Sequence, residues 1–376
     1  MTTQARIGGA LDALASRHRL RALAPQTGLD FASNDYLGLA GSTLLADAAQ
    51  EALARGVPVG AGGSRLLRGN HPEHEAVEAE AAAFFGTQAA LFMGGGFQAN
   101  QAIFASLPAA QDLILHDALI HASAIEGMRL GRAATRAFPH NDIGAAMRSL
   151  AQWRGEGGRG QVWIAVESVY SMEGDVAPLA DLAQMAREEG AVLVVDEAHA
   201  TGVFGAEGRG LADRLDAQVL TLHTCGKALG VAGGLICGAK VMIDMLINRA
   251  RPFVFATAPS PLNAALVRAA LRALQSHPDL ILEAGQRVAH AHAEARRLGV
   301  VGALHSQIIP VVIGADQPTM MRAKTLQNMG FDVRGIRPPT VPRGTSRLRI
   351  SITGNIDHAQ VTALFMAIAD QQREVA

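Results

Sequence analysis

Cysteine is nearly absent from this 376-residue chain: Cys225 and Cys237 are its only two, and they form no C-x-x-C pair. That disfavours a disulfide framework or a thiolate metal site, and a reducing, cytoplasmic setting is expected. Net charge is lacking too, with 33 basic against 34 acidic residues and a formal charge of −1. The balance removes any electrostatic case for nucleic acid or an anionic membrane as partner. No uninterrupted apolar run approaches membrane-spanning length, and the opening MTTQARIGGALDALASRHRLRALAP has no apolar h-region of a signal peptide. The helical spacing of Ile7, Leu11, Leu14 and Ala15 predicts a short amphipathic helix there instead. Internal repeats and low-complexity linkers are missing.

Several catalytic signatures are missing as well. There is no G-x-S-x-G elbow and no H-E-x-x-H helix. Gly226-Lys227 lacks the upstream glycine and the following Ser or Thr of a phosphate-binding P-loop. The glycine clusters make no G-x-G-x-x-G after a first strand, so a nicotinamide cofactor has little support.

What is present reads as a globular α/β protein. Hydrophobic residues make up 49% and charged residues 18%, and a chain of this length can bury several apolar layers without disulfides. AALFM (89–93) and DLILH (112–116) read as strands, and 162–167, 192–197 and 219–223 are apolar runs bounded by polar turns. Such runs suit strands buried on both faces in a mostly parallel sheet covered by helices. Asn70 with Glu73 predicts a capping box for a helix that stops at Gly86. A long helical region at about 261–298 leads to an apolar strand at 308–313, a helix ending at Gly330, and the strand 347–352. We therefore expect an N-terminal segment (1–45), a large α/β domain (46–270) and a small α+β domain (271–376), with the long helix between the last two.

One aspartate, one histidine and one lysine fall at the C-terminal ends of apolar strands, where open α/β sheets bind ligands. Asp196 follows VLVV directly, and a carboxylate there is costly unless it meets a cation. The protonated ring nitrogen of a pyridoxal cofactor is such a cation, although a helix cap or an arginine partner would also serve. Lys227 lies in HTCGKALG, flanked by small residues, as suits either a Schiff-base lysine or a plain surface lysine. His199 reads as a core histidine or, with His116 and His121, as part of a metal site, though no metal pattern surrounds them. In RLRISI, period-two alternation puts Arg347, Arg349 and Ser351 on one face. An arginine fork in a polar cleft can hold a carboxylate through two parallel hydrogen bonds, and a surface salt bridge is expected for Arg347.

Eight segments in order extend these readings: SNDYLGLA (33–40), GAGGSRLLRGNHPEHEAVE, GGGFQANQA, HDALIHASAIEG, ESVYSMEGDVAPL, VVDEAHATGVFG, HTCGKALG and RPPTVPRGTSRLRISIT. Together they resemble the α-oxoamine synthases, a branch of the fold type I aminotransferase-like transferases that use pyridoxal 5′-phosphate, nearly end to end. The chain departs from the usual pattern at Cys225 and in GGGF, where Ser-Gly-Phe or Ser-Gly-Tyr is common. The resemblance implies that Lys227 holds the cofactor covalently and later moves protons. It also implies that Asp196 pairs with the pyridine nitrogen, His199 with the phenolic oxygen, and that His121 stacks on the ring. Gly96 and Phe97 fall where the family positions the phosphate; Ser171 and Thr224 hold further cofactor positions. Thr257 matches a residue that reaches the phosphate from a second subunit, which implies a homodimer with shared sites. Arg349, Asn34 and Arg21 match substrate-binding positions, Arg349 that of the amino-acid carboxylate. The implied reaction is decarboxylative condensation of an amino acid with an acyl thioester. SNDYLGLA, HTCGKALG and IRPPTVPRGTSRLRISIT point to the branch that joins L-alanine to a pimeloyl thioester, carried by CoA or a carrier protein. Sister activities with glycine or serine remain the alternative, and a non-catalytic cofactor-binding protein a further one.

Overall fold

The computed structural model describes residues 1–300 and 304–373. The chain divides into two compact units: one holds Leu37–Ser171 and Val176–Glu283; the other holds Met1–Tyr36, Met172–Asp175 and the chain from Ala284 on.

The first unit is built on a seven-stranded sheet. Across the sheet the strands run Ala89–Met93, Gly234–Gly238, Gln218–Thr224, Val192–Asp196, Val162–Glu167, Leu113–Asp117 and Ala134–Phe138. All are parallel except Gly234–Gly238, which runs against both neighbours. The predicted runs form strands because every second residue faces a different apolar layer. Ile114, Trp163, Val192, Val194, Leu220 and Leu222 pack with Ala99, Ile103 and Phe104 of the helix Gly96–Ser106. Leu113, Ile164, Val166, Leu193 and Val195 pack on the opposite side, with Leu150 and Trp153 of Ile143–Gly155 and Leu182 of Leu179–Glu188. Two strands escape the reading by apolar runs. Ala134–Phe138 is an edge strand with one buried residue, and Gly234–Gly238 is short and bounded by glycines.

Two local expectations need correction. The helix Pro72–Phe84 is capped by His71, with His74 closing the capping box, not by Asn70 and Glu73. Asn70 accepts from Arg65 Nε at 2.6 Å and donates to Glu75 Oε1 at 2.7 Å, so its side chain is engaged outside the helix end. The long helix expected at 261–298 is two helices, Pro261–Ser276 and Asp279–Arg297. Pro278 has no amide proton to continue the ladder across the break.

The second unit carries a three-stranded antiparallel sheet in the order Arg334–Ile336, Ser346–Ser351, Ile308–Gly314. Its core joins Ile309, Val311, Leu348 and Ile350 to Ala323 and Leu326 of Asp316–Asn328 and Leu364 and Phe365 of His358–Arg373. The N-terminal segment belongs here because Leu29–Asp30 pairs in parallel with Phe331–Asp332, and Phe31 sits in the same core. The two units meet along the chain at 36/37, 171/172, 175/176 and 283/284, and the long-range pairing that ties the N-terminal segment to the second unit leaves no local signal. The amphipathic helix forms as Thr3–Ser16, but none of its residues is buried, and Ile7, Leu11 and Leu14 are exposed.

Candidate active site

The alternation that buries Val192 and Val194 also decides where Asp196 points. It lies on the side of the helix Gly96–Ser106, and there Asn100 Nδ2 donates to its Oδ2 at 2.8 Å. The backbone N–H of Ala198 donates to Oδ1 at 3.0 Å. Asp196 is buried at the end of its strand, in register with Glu167 on one side and Leu222 on the other. The same Asn100 nitrogen donates to Ser123 Oγ at 2.8 Å, and that hydroxyl lies 2.7 Å from His121 Nδ1. His121 is the N-cap of the helix Ala122–Leu130 and accepts from the N–H of Ser123. Burial holds its pKa below the ordinary histidine range; Asp196 pushes it up and Lys227 down, so both charges act on the ring.

Lys227 follows the strand Gln218–Thr224, and its Nζ lies 2.7 Å from His199 Nε2. His199 is buried, while Lys227 is half-buried. Thr224 ends the strand beside Gly96, where a Cβ would meet Thr224 Cβ and Oγ1 at 3.3 Å. The helix Gly96–Ser106 starts from Gly95 with no side-chain cap, so the first-turn N–H groups of its amino end form an anion-attracting terminus. Ser171 is buried, its N–H donating to Glu167 Oε2 at 3.1 Å. Phe97 is half exposed, and Thr257 is exposed beside a narrow cleft bordered by Gly94 and Gln98.

This donor set suits pyridoxal phosphate. A carboxylate is fixed at the strand end for a ring nitrogen, an imidazole caps the neighbouring helix, an amine lies within reach of a second imidazole, and a glycine-opened helix end awaits a phosphate. Among the described residues no group of three or more His, Cys, Asp or Glu is arranged to hold a metal. His116 instead engages the carbonyl of Asp117 through Nδ1 at 2.9 Å.

Behind the site, burial sets the chemistry of several groups. Glu197 is fully buried, takes a hydrogen bond from Ser168 Oγ, and its pKa is raised to about 7 by loss of water. His223 is lowered to about 3 by burial, stacked on Phe85 and bonded to Thr201 and Thr221. Burial also pushes the Cys225 thiol up, so the cysteine beside the lysine segment is a packing residue.

In the second unit, Arg349 is buried, and its Nη2 donates to Asn34 Oδ1 at 3.0 Å while Nη1 donates to Ser351 Oγ at 2.7 Å. Tyr36 also donates to Asn34 Oδ1, at 3.0 Å. Two of the three expected substrate residues are thus in direct contact. Arg21 stands apart from them: it is exposed, donates to Thr340 Oγ1 at 3.1 Å, and borders a cavity with Leu11, Leu14, Pro338 and Pro339. Arg347 departs from expectation. It makes an ion pair with Glu173 at 2.8 Å, but in a buried setting rather than on the surface, because the central strand Ser346–Ser351 is buried throughout.

Sequence reasoning missed Asn100 and Ser123. An asparagine four residues after a helix-opening glycine, on the face carrying Ala99 and Ile103, was the available signal: a buried amide there needs partners.

A family model described as aminotransferase class I and II matches residues 26–368. A curated 8-amino-7-oxononanoate synthase of Anaeromyxobacter dehalogenans is 38% identical over 374 residues, covering 96% of this chain and 93% of the relative. Among solved structures, the 8-amino-7-oxononanoate synthase of Francisella tularensis superposes with a TM-score of 0.76 at 26% identity, covering 92% of this chain and 98% of the other. A serine palmitoyltransferase of S. paucimobilis, solved with PLP and myriocin, shares the fold with a TM-score of 0.90 at 24% identity, covering 100% and 99%.

Proposed function

The chain belongs to the aminotransferase class I and II family and, within it, to the 8-amino-7-oxononanoate synthases; from that premise we propose that it condenses L-alanine with a pimeloyl thioester. The product is 8-amino-7-oxononanoate, a step of biotin synthesis, with release of CO2 and the carrier thiol. The enzyme is a pyridoxal-phosphate-dependent acyltransferase. Bound pyridoxal phosphate supplies an electron sink for the negative charge that develops at the amino acid's α-carbon.

The single observation that carries the reading is the pairing of Lys227 Nζ with His199 Nε2, 2.7 Å apart, after the strand next to the one ending in Asp196. Lys227 would hold the cofactor covalently, and its free amine would be the base that takes the amino acid's α-proton. Asp196, oriented by Asn100, would hold the protonated ring nitrogen, His199 would hold the ring oxygen, and His121 would serve the ring face. Gly96 and Phe97 would hold the phosphate through their backbone N–H groups, with Thr224 beside Gly96 and Ser171 as a further cofactor-binding residue. Arg349 receives the substrate carboxylate in a fork already braced by Asn34 and Ser351, and Arg21 is a further substrate-binding residue.

The active form is a homodimer in which Thr257 of each chain completes the phosphate site of the other. Supporting this, Leu66, Leu67, Phe97 and Phe255 of the first unit are large apolar side chains exposed in the single chain. Light scattering tests it, and a monomer that turns over normally would refute it. Among the described residues no helix is long and apolar enough to cross a membrane.

The deciding assay is thiol release by the cofactor-loaded protein with L-alanine plus pimeloyl-CoA, against glycine plus acetyl-CoA and L-serine plus palmitoyl-CoA. Preference for the first pair is expected. Preference for another pair would move the chain to a sister activity, and no release from any pair would reject the catalytic reading.

A further inference from the structure

The polar contacts around His121 determine which of its nitrogens carries the proton. A carboxylate offers only acceptors, so the Asn100 atom 2.8 Å from Asp196 Oδ2 is the amide nitrogen. That nitrogen gives its second hydrogen to Ser123 Oγ, also at 2.8 Å. Ser123 Oγ therefore accepts from Asn100 and has its own hydrogen for another acceptor, and His121 Nδ1 stands 2.7 Å away. The backbone N–H of Ser123 is aimed at the same nitrogen at 3.2 Å, the bond by which His121 caps its helix. A ring nitrogen that accepts two hydrogen bonds carries no proton. We propose that Ser123 and Asn100 are positioning residues that hold His121 as the neutral tautomer protonated at Nε2, so that the imidazole enters the site as a hydrogen-bond donor and proton abstraction is left to Lys227.

Burial works in the same direction, since it disfavours the charged imidazolium and outweighs the opposing pull of Asp196. The first unit uses this device once more: His74 Nδ1 accepts the N–H of His71 at 3.1 Å, and its Nε2 meets the carbonyl oxygen of Pro259 at 2.7 Å. At His121 the chain of contacts runs on to Asp196, so the residue proposed to hold the cofactor nitrogen also sets the orientation of the amide that directs the ring. The inference rests on the proposed function only in what it assigns to Lys227.

The test is two-bond proton–nitrogen correlation on the cofactor-loaded full chain with nitrogen-15-labelled histidine at neutral pH, the His121 signals assigned by their loss in His121→Asn. A protonated Nε2 and a bare Nδ1 are expected in the native chain and in Ser123→Thr, which keeps the hydroxyl. Ser123→Ala should shift the ring towards a mixture of tautomers and lower kcat about tenfold, the rate equivalent of one hydrogen bond. Its cofactor absorbance should stay unchanged, because the Asn100–Asp196 bond is untouched. A native ring protonated at Nδ1 or at both nitrogens overturns the inference, as does a Ser123→Ala ring identical to the native one. If Ser123→Ala fails to fold, the native spectrum decides alone. The spectrum needs no substrate, so failure of the proposed function would show separately, in the thiol-release assay.

Discussion

Lys227 Nζ and His199 Nε2 stand 2.7 Å apart, brought together from two loops that follow neighbouring parallel strands. His199 comes three residues after Asp196, so one turn places the carboxylate and the imidazole, and the next strand delivers the amine. Reduction with borohydride should therefore fix the mass of the cofactor on the peptide carrying Lys227. Lys227→Ala should retain no reducible adduct and lose turnover by several orders of magnitude, as expected when a positioned base is removed together with the covalent anchor. Retained turnover would refute the lysine's role.

Arg349 donates to both Asn34 and Ser351, so its fork is fixed by the protein itself. Arg349→Ala should raise KM for the amino acid roughly tenfold to a hundredfold, in line with loss of a charged hydrogen-bonded contact, with a smaller effect on kcat. Arg349→Lys should recover part of the loss, because a point charge replaces a planar fork. Steady-state kinetics with alanine as the varied substrate separates these outcomes.

Glu197 gives a stability signature with a definite sign. Its pKa is raised from 4.5 to about 7, so between those values the folded chain keeps a proton that the unfolded chain releases. Its contribution is full below pH 4.5 and is lost as pH rises through about 7. His223, lowered from 6.5 to about 3, acts oppositely: its contribution is present above pH 6.5 and lost as pH falls through about 3. Glu197→Gln removes the first effect alone. The melting temperature of the variant, measured against the native chain, should therefore become relatively more favourable as pH rises from 4.5 to 7. A difference independent of pH would show that Glu197 is ionised in the fold.

Gly127 lets two helices touch behind the site. A Cβ at this position would meet Asn100 O at 2.7 Å, Gln101 Cα at 3.0 Å and Phe104 Cβ at 3.2 Å. Gly127→Ala should cost about 1–3 kcal/mol, the usual range for overpacking, as measured by urea unfolding. Because the displaced backbone belongs to Asn100, cofactor affinity should fall as well, and unchanged affinity would mean that the helix adjusts without moving that amide.

The residues that carry charge at the strand ends were legible in the sequence, because an apolar run that stops at Asp196 or just before Lys227 marks a strand edge by local pattern alone. The central strands were legible for the same reason, while the exposed edge strand Ala134–Phe138 and the glycine-bounded Gly234–Gly238 carried no such run. Contacts far apart in sequence were a different matter. Asn100 reaches Asp196 across 96 positions, and Arg349 reaches Asn34 across 315. The pairing of Leu29 with Phe331 is just as remote, and it assigns the N-terminal segment to the second unit. By itself the sequence determined which chemistry was available: an amine, a carboxylate and imidazoles at the ends of buried strands. The tertiary structure alone decided which of those groups meet, and so which nitrogen of His121 accepts, because hydrogen-bond direction depends on partners that only the packed fold brings within 3 Å.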